Sequence, residues 1–189
     1  MKSVEIIGYN RANLGKADAK QLREQSLVPA VLYGGAEQVH FAVPMILFRQ
    51  LVYTPNAYTV ALNIEGKEFS AILQDVQFHP VNELILHADF MLLNPEKEVK
   101  MDIPVQIQGT AVGVTKGGKL NVKLRKLKVV ALPANLPDSI PVDVSALDLG
   151  KTIKVGEVKA QGFKITNAKS VPVVSVDIPR ALRGKQAAA

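Results

Sequence analysis

The stretch NRANLGKADAKQLREQSLVPAVLYGG, from Asn10 to Gly35, decides how the rest of the chain is read. It falls into three parts: a loop carrying Arg11 and Gly15, a short helix, and an apolar strand closed by Tyr33 and two glycines. Pro29 can open a strand but cannot continue a helix, so the helix has to end before it. Lys16, Lys20 and Arg23 recur at i, i+4 and i+7 and stack on one helix face. Leu22 and Ala19 are then left to turn toward a core. A cationic stripe beside an Arg-bearing loop suits a row of phosphates. A solvated surface helix is the plainer reading of such a stripe taken alone.

Outward from this stretch, period-two patterning predicts a β-rich unit. Residues 3 to 9 read as a first strand, Val28 to Tyr33 as a second, and Gln38 to Val43 as a third. Pro44 suits the first turn of a second helix carrying Ile46, Leu47, Leu51 and Val52, which Thr54-Pro55-Asn56 stops. Tyr58 to Ile64 and Phe69 to Phe78 flank a Glu65-Gly66 hairpin turn. His79 to Asn82 forms another turn, and Leu84 to Leu93 a further strand. Alternation on that strand puts His87 and Asp89 on one face and Leu86, Ala88 and Phe90 on the other. The unit is expected to be a mostly antiparallel sheet or barrel with two short helices.

The polar run Asn94-Pro95-Glu96-Lys97-Glu98 marks a boundary, giving domains at residues 1–94 and 95–178. Val99, Met101, Ile103, Val105 and Ile107 form one strand of the second domain, followed by a loop from Val112 to Lys119. The apolar set then changes parity, from Leu120, Val122 and Leu124 to Leu127 and Val129. That flip predicts a bulge or sharp bend near Arg125-Lys126. Ile140 to Val144, Thr152 to Val155 and Val171 to Val176 complete an all-β domain of short, proline-punctuated strands. The tail, residues 179–189, is expected to be disordered.

Composition narrows the chemistry. The 189 residues carry a formal charge of +6 and no cysteine, which removes disulfides, thiol nucleophiles and Cys-based zinc sites. The pI near 9.5 admits a nucleic-acid partner. No signal-peptide core and no bilayer-length apolar run is present, so the chain is expected to be cytoplasmic with no membrane partner. The lack of Trp argues against a stacking-dominated single-strand binder but not against gripping a folded RNA by its backbone. The three histidines show no metal-ligand spacing, and no cofactor is implied. His87 and Asp89 would need a nucleophile to serve a hydrolase, and no serine elbow is present. The same pair, with Gln74 or Gln77, offers donors and acceptors suited to the shallow RNA minor groove, although an exposed pair without a partner is the plainer alternative. Lys116, Lys119, Lys123 and Arg125, with Lys126 and Lys128, form a second basic cluster. It reads either as sheet-edge protection or as a second RNA contact.

Taken together, Arg11, Gly15-Lys16, Leu22-Arg23, Val28 to Gly35, Gln74 to Pro80 and Leu86 to Phe90 resemble the bacterial large-subunit ribosomal protein twenty-five family. The runs at 102 to 118 and 140 to 147 are similar to its long form, the general stress protein CTC type. The resemblance implies a mainly β fold with a few short helices: a six-stranded, barrel-like N-terminal domain and a β-rich C-terminal domain. It also implies a ribosome-associated protein, monomeric when free, whose partners are 5S ribosomal RNA and neighbouring large-subunit proteins. The RNA-contacting positions it implies are Arg11, Lys16, Lys20, Arg23, Tyr33, Gln74, Gln77, His87 and Asp89. The chain departs from the family's pattern at Lys20-Gln21, where paired arginines are common, and at Phe78. An alternative is a stress-response adaptor, anchored on RNA, whose C-terminal domain binds another protein.

Overall fold

The computed structural model describes residues 1–35, 37–160 and 162–179. Apart from Pro179, the tail expected to be disordered lies outside the described residues. Backbone contacts divide the chain into two compact units: Met1–Met101 with Leu132–Asp138, and Asp102–Ala131 with Ser139 onward.

The first unit is a closed six-stranded barrel. Its strands are β1 (Lys2–Asn10), β2 (Leu27–Tyr33), β3 (Val39–Pro44), β4 (Tyr58–Ile64), β5 (Lys67–Phe78) and β6 (Ile85–Leu92), ordered β1-β3-β2-β6-β5-β4. Closure depends on β1 pairing in parallel with β4, from Lys2 opposite Tyr58 to Gly8 opposite Ile64. A second parallel ladder joins β2 to β6. Every edge is thereby paired, which removes the exposed strand edges of an open sheet. Glu65 and Gly66, both at positive φ, make the tight β4–β5 turn. Gly8 permits close packing, because a Cβ there would lie 2.6 Å from the Phe41 ring.

The barrel interior is filled by Ile6, Val28, Ala30, Phe41, Val43, Val60, Leu62, Ala88 and Phe90, with Phe48 and Leu51 entering from outside the strands. Phe90 sits at tilted angles between Phe41 and Phe48, with ring centroids 5.7 and 6.2 Å away. Helix α1 (Lys16–Glu24) packs on β2. The segment after Pro44 is a 3-10 turn (Met45–Leu47) followed by α2 (Phe48–Val52). Here Phe48 reaches the core and Ile46 stays exposed, which corrects the expected apolar set. Pro44 ends β3 and immediately precedes the 3-10 turn, an extended position that its fixed φ allows.

Two register shifts change the face pattern of β5 and β6. Leu73 opposes Phe90 but Asp75 opposes Asp89, so Gln74 is an extra residue. Gln77 opposes His87 but Phe78 opposes Ile85, so Leu86 is extra as well. Each extra residue is a β-bulge that resets the alternation beyond it. Leu86 therefore does not share a core face with Ala88 and Phe90, as alternation predicts. Ile85 is buried in its place, and Leu86 is half-buried.

The second unit is also β-rich. Strands β7 (Val99–Gln108), β8 (Lys119–Val122), β9 (Lys126–Ala131), β10 (Ile140–Asp143), β11 (Thr152–Lys154), β12 (Lys164–Ile165) and β13 (Pro172–Asp177) form two sheets, β10-β7-β9-β12 and β11-β13-β8. The bend expected near Arg125-Lys126 is the point where the chain leaves one sheet for the other. The Val112 to Lys119 loop instead contains a one-turn helix, α3 (Val112–Thr115). Two prolines sit where a missing N–H is tolerated: Pro141 lies on edge strand β10, and Pro172 is the first residue of β13.

Candidate nucleic-acid interface

The site grows from the outer face of β2, β5 and β6. Across the ladders, His40 opposes Val31, Val31 opposes Asp89, and Asp89 opposes Asp75. Gln77 opposes His87 in the neighbouring row. His87 and Asp89 share this face, as expected, and His87 Nδ1 lies 2.8 Å from Asp89 Oδ1. The short contact places the imidazole beside the carboxylate on the outer face. Both side chains are about one-third exposed, accessible to a partner yet held in place.

Tyr33 extends the same patch. Burial, then the Asp89 and Asp75 carboxylates, push its phenol above the ordinary value of 10.0, so it remains an O–H donor. Asp75 is a component that the sequence reading missed. The Gln74 bulge brings it opposite Asp89, where two like charges face each other across the ladder. Such a pair is unfavourable for the sheet itself. It suits a partner offering donors, such as a 2′-hydroxyl or a guanine edge. Of the two glutamines, Gln77 stands in the ladder beside His87, whereas Gln74 is the exposed bulge residue.

The basic helix lies beside this patch. Arg23 Nε donates to the carbonyl of the bulge residue Leu86 at 3.2 Å. Arg23 thus ends next to His87, and the helical stripe flanks the polar rows. Lys16 and Lys20 are exposed on α1, Lys20 with only a loose 3.9 Å contact to Glu24. Arg11 behaves differently from the expected phosphate ligand. Its side chain is only 10% exposed, and Nη2 donates to Asp18 Oδ2 at 2.7 Å.

The second basic cluster is less open than its composition suggests. Lys116 Nζ donates to both oxygens of Asp148 at 2.9 Å, and Lys119 stands opposite Asp177. Lys123 and Arg125 are exposed and form no ion pair among the described residues.

Comparison with known proteins finds a separate match in each half of the chain. Residues 6–90 match the Ribosomal L25p family, and residues 98–180 match the C-terminal domain of ribosomal protein TL5. A large ribosomal subunit protein bL25 of Cytophaga hutchinsonii is 57% identical over 189 residues, covering 100% of this chain and 98% of its own. The bL25 of Amoebophilus asiaticus is 54% identical over the whole chain and 96% of its own length, and that of Bacteroides fragilis is 46% identical with 100% and 99% covered. With the barrel half and the second β half both matched, and relatives aligned from end to end, this chain belongs to the bL25 family of large-subunit ribosomal proteins, in its two-domain form.

Proposed function

We propose that the free chain, a monomer, binds 5S ribosomal RNA through its barrel domain, residues 1–94. Family membership makes it a structural protein of the large ribosomal subunit, ribosome-borne and cytoplasmic, and not an enzyme. In the finer reading, Lys16, Lys20 and Arg23 engage phosphates while Tyr33, Gln77, His87 and Asp89 meet base edges and 2′-hydroxyls. Phosphate contacts supply affinity and position, and the polar rows supply fit. Gln74 and Asp75 border the same patch. Lys123 and Arg125 are the members of the second cluster best suited to an added RNA contact.

The observation that carries this reading is the Arg23 Nε bond to the Leu86 carbonyl. It sets the cationic helix against the strand bearing His87 and Asp89, so one ribonucleotide loop can meet both. A gel shift of the full chain with 5S RNA, against a transfer RNA of similar charge, tests it. Selective retardation of 5S RNA is expected. With about three cations on phosphates, log affinity should fall with log salt at a slope of roughly −2. Equal binding of both RNAs would refute the reading.

A further inference from the structure

Helix α1 is poorly secured by its own sequence. None of its nine residues is buried, and Gly15 at its start provides no side-chain cap. A helix this short is marginal without outside support. Two arginines supply it. Arg23 ties the C-terminal turn to Leu86. At the other end, Arg11 reaches Asp18 in the first turn. Arg11 is itself fixed to the barrel: its backbone N–H donates to the His40 carbonyl at 3.1 Å, and Nη2 also donates to the Asn13 carbonyl. Its Nε is sealed from solvent with no partner among the described residues. A guanidinium held this way is costly unless its charge is matched, and Asp18 is the matching acid.

We infer that Asp18 is a positioning residue of the RNA site, acting through Arg11 to clasp the first turn of α1 to the barrel and so to pre-order Lys16 and Lys20. The inference rests on the RNA-binding reading above. It reverses the sign that charge alone assigns to Asp18. An acid between Lys16 and Lys20 should repel RNA, so removing it should tighten binding and steepen the salt dependence. A clasp predicts the opposite, because a helix that spends time undocked binds more weakly in proportion to its docked fraction.

The test uses the full chain with Asp18→Asn, Arg11→Gln and the double variant. Amide hydrogen exchange on the free protein should quicken across residues 16–24 in each variant and stay unchanged in β2 and β6. Affinity for 5S RNA should fall about fivefold in Asp18→Asn. The double variant should bind no worse than Arg11→Gln alone, since both changes open one clasp. Unchanged exchange in Asp18→Asn overturns the clasp. Quickened exchange with equal or tighter RNA binding overturns its role in the site. A wild-type chain that ignores 5S RNA overturns the function proposed above, and this inference with it, whereas a wild type that binds and an Asp18→Asn that binds as well overturns this inference alone.

Discussion

The two basic regions of the molecule look alike in composition and differ in surroundings. On α1, cations flank rows in which Tyr33, Gln77, His87 and Asp89 stand on paired strands. In the second unit, Lys116 is neutralised by Asp148, Lys119 faces Asp177, and Lys123 and Arg125 occupy the bend between sheets. Positive charge attracts any polyanion. Discrimination needs oriented donors and acceptors next to it, held by a scaffold that does not yield. The barrel provides such a scaffold because it closes on itself, whereas the second unit is built from two small open sheets.

Breaking the barrel should have the largest effect. Phe90→Ala empties space between Phe41 and Phe48, directly beneath the strand that carries Asp89. It should cost about 3–5 kcal/mol in denaturant unfolding and remove 5S RNA binding. The matching strain in the second unit is Gly118→Ala, whose Cβ would lie 2.6 Å from the Gly113 carbonyl oxygen. That change should cost about 1–3 kcal/mol of stability. Under folding conditions it should leave 5S affinity within about twofold.

Next in size, Arg23→Ala should weaken 5S binding about tenfold, because it removes a cation and a charged hydrogen bond together. Arg23→Lys keeps the charge and loses the planar Nε donor, so it should fall between wild type and Arg23→Ala. Parity of Arg23→Lys with wild type would show that only charge matters at this end of the helix.

Asp89→Asn sharpens the contrast further. It should narrow the ratio of 5S to transfer RNA affinity, and a gel-shift titration with both RNAs reads this directly. Lys123→Ala and Arg125→Ala should lower affinity for both RNAs alike and reduce the salt slope by about one or less each. A selective loss for 5S RNA on changing Lys123 would abolish the distinction between the two regions.

The smallest effect concerns acid. The Lys116 hydrogen bond and then the Leu149 N–H hold the Asp148 carboxyl below its usual 3.8, and the Ser145 hydroxyl and N–H do the same for Asp143. Folded values below unfolded ones mean that these groups stabilise the second unit above about pH 3.8 and lose that contribution as pH falls through the folded values. Carboxyl NMR titration should show both midpoints below 3.8, and Lys116→Ala should move that of Asp148 upward.

Much of the architecture was legible because strand and turn signals are local. Tyr58 to Ile64 alternates as a half-buried strand must, Glu65-Gly66 suits a tight turn, and Pro29 excludes helix. The i, i+4, i+7 stripe and the shared face of His87 and Asp89 also follow from backbone periods alone. Alternation failed at Gln74 and Leu86, because a bulge is defined by the partner strand and leaves no mark in a strand's own pattern. Asp75 was missed for that reason. The Arg11–Asp18 pairing was not legible because Asp18 appears in sequence only as another charge on a basic helix.

What the sequence determined by itself is the set of elements, their polarity and the presence of cations beside a hydrophilic strand. The tertiary structure alone decided which of those cations remain open to a partner. The β1–β4 ladder and the Arg23–Leu86 contact join residues far apart in the chain, and the two bulges and the Arg11–Asp18 pair join nearer residues that no strand or helix period brings together. Hydrogen-bond geometry and burial, which no local period encodes, set those pairings.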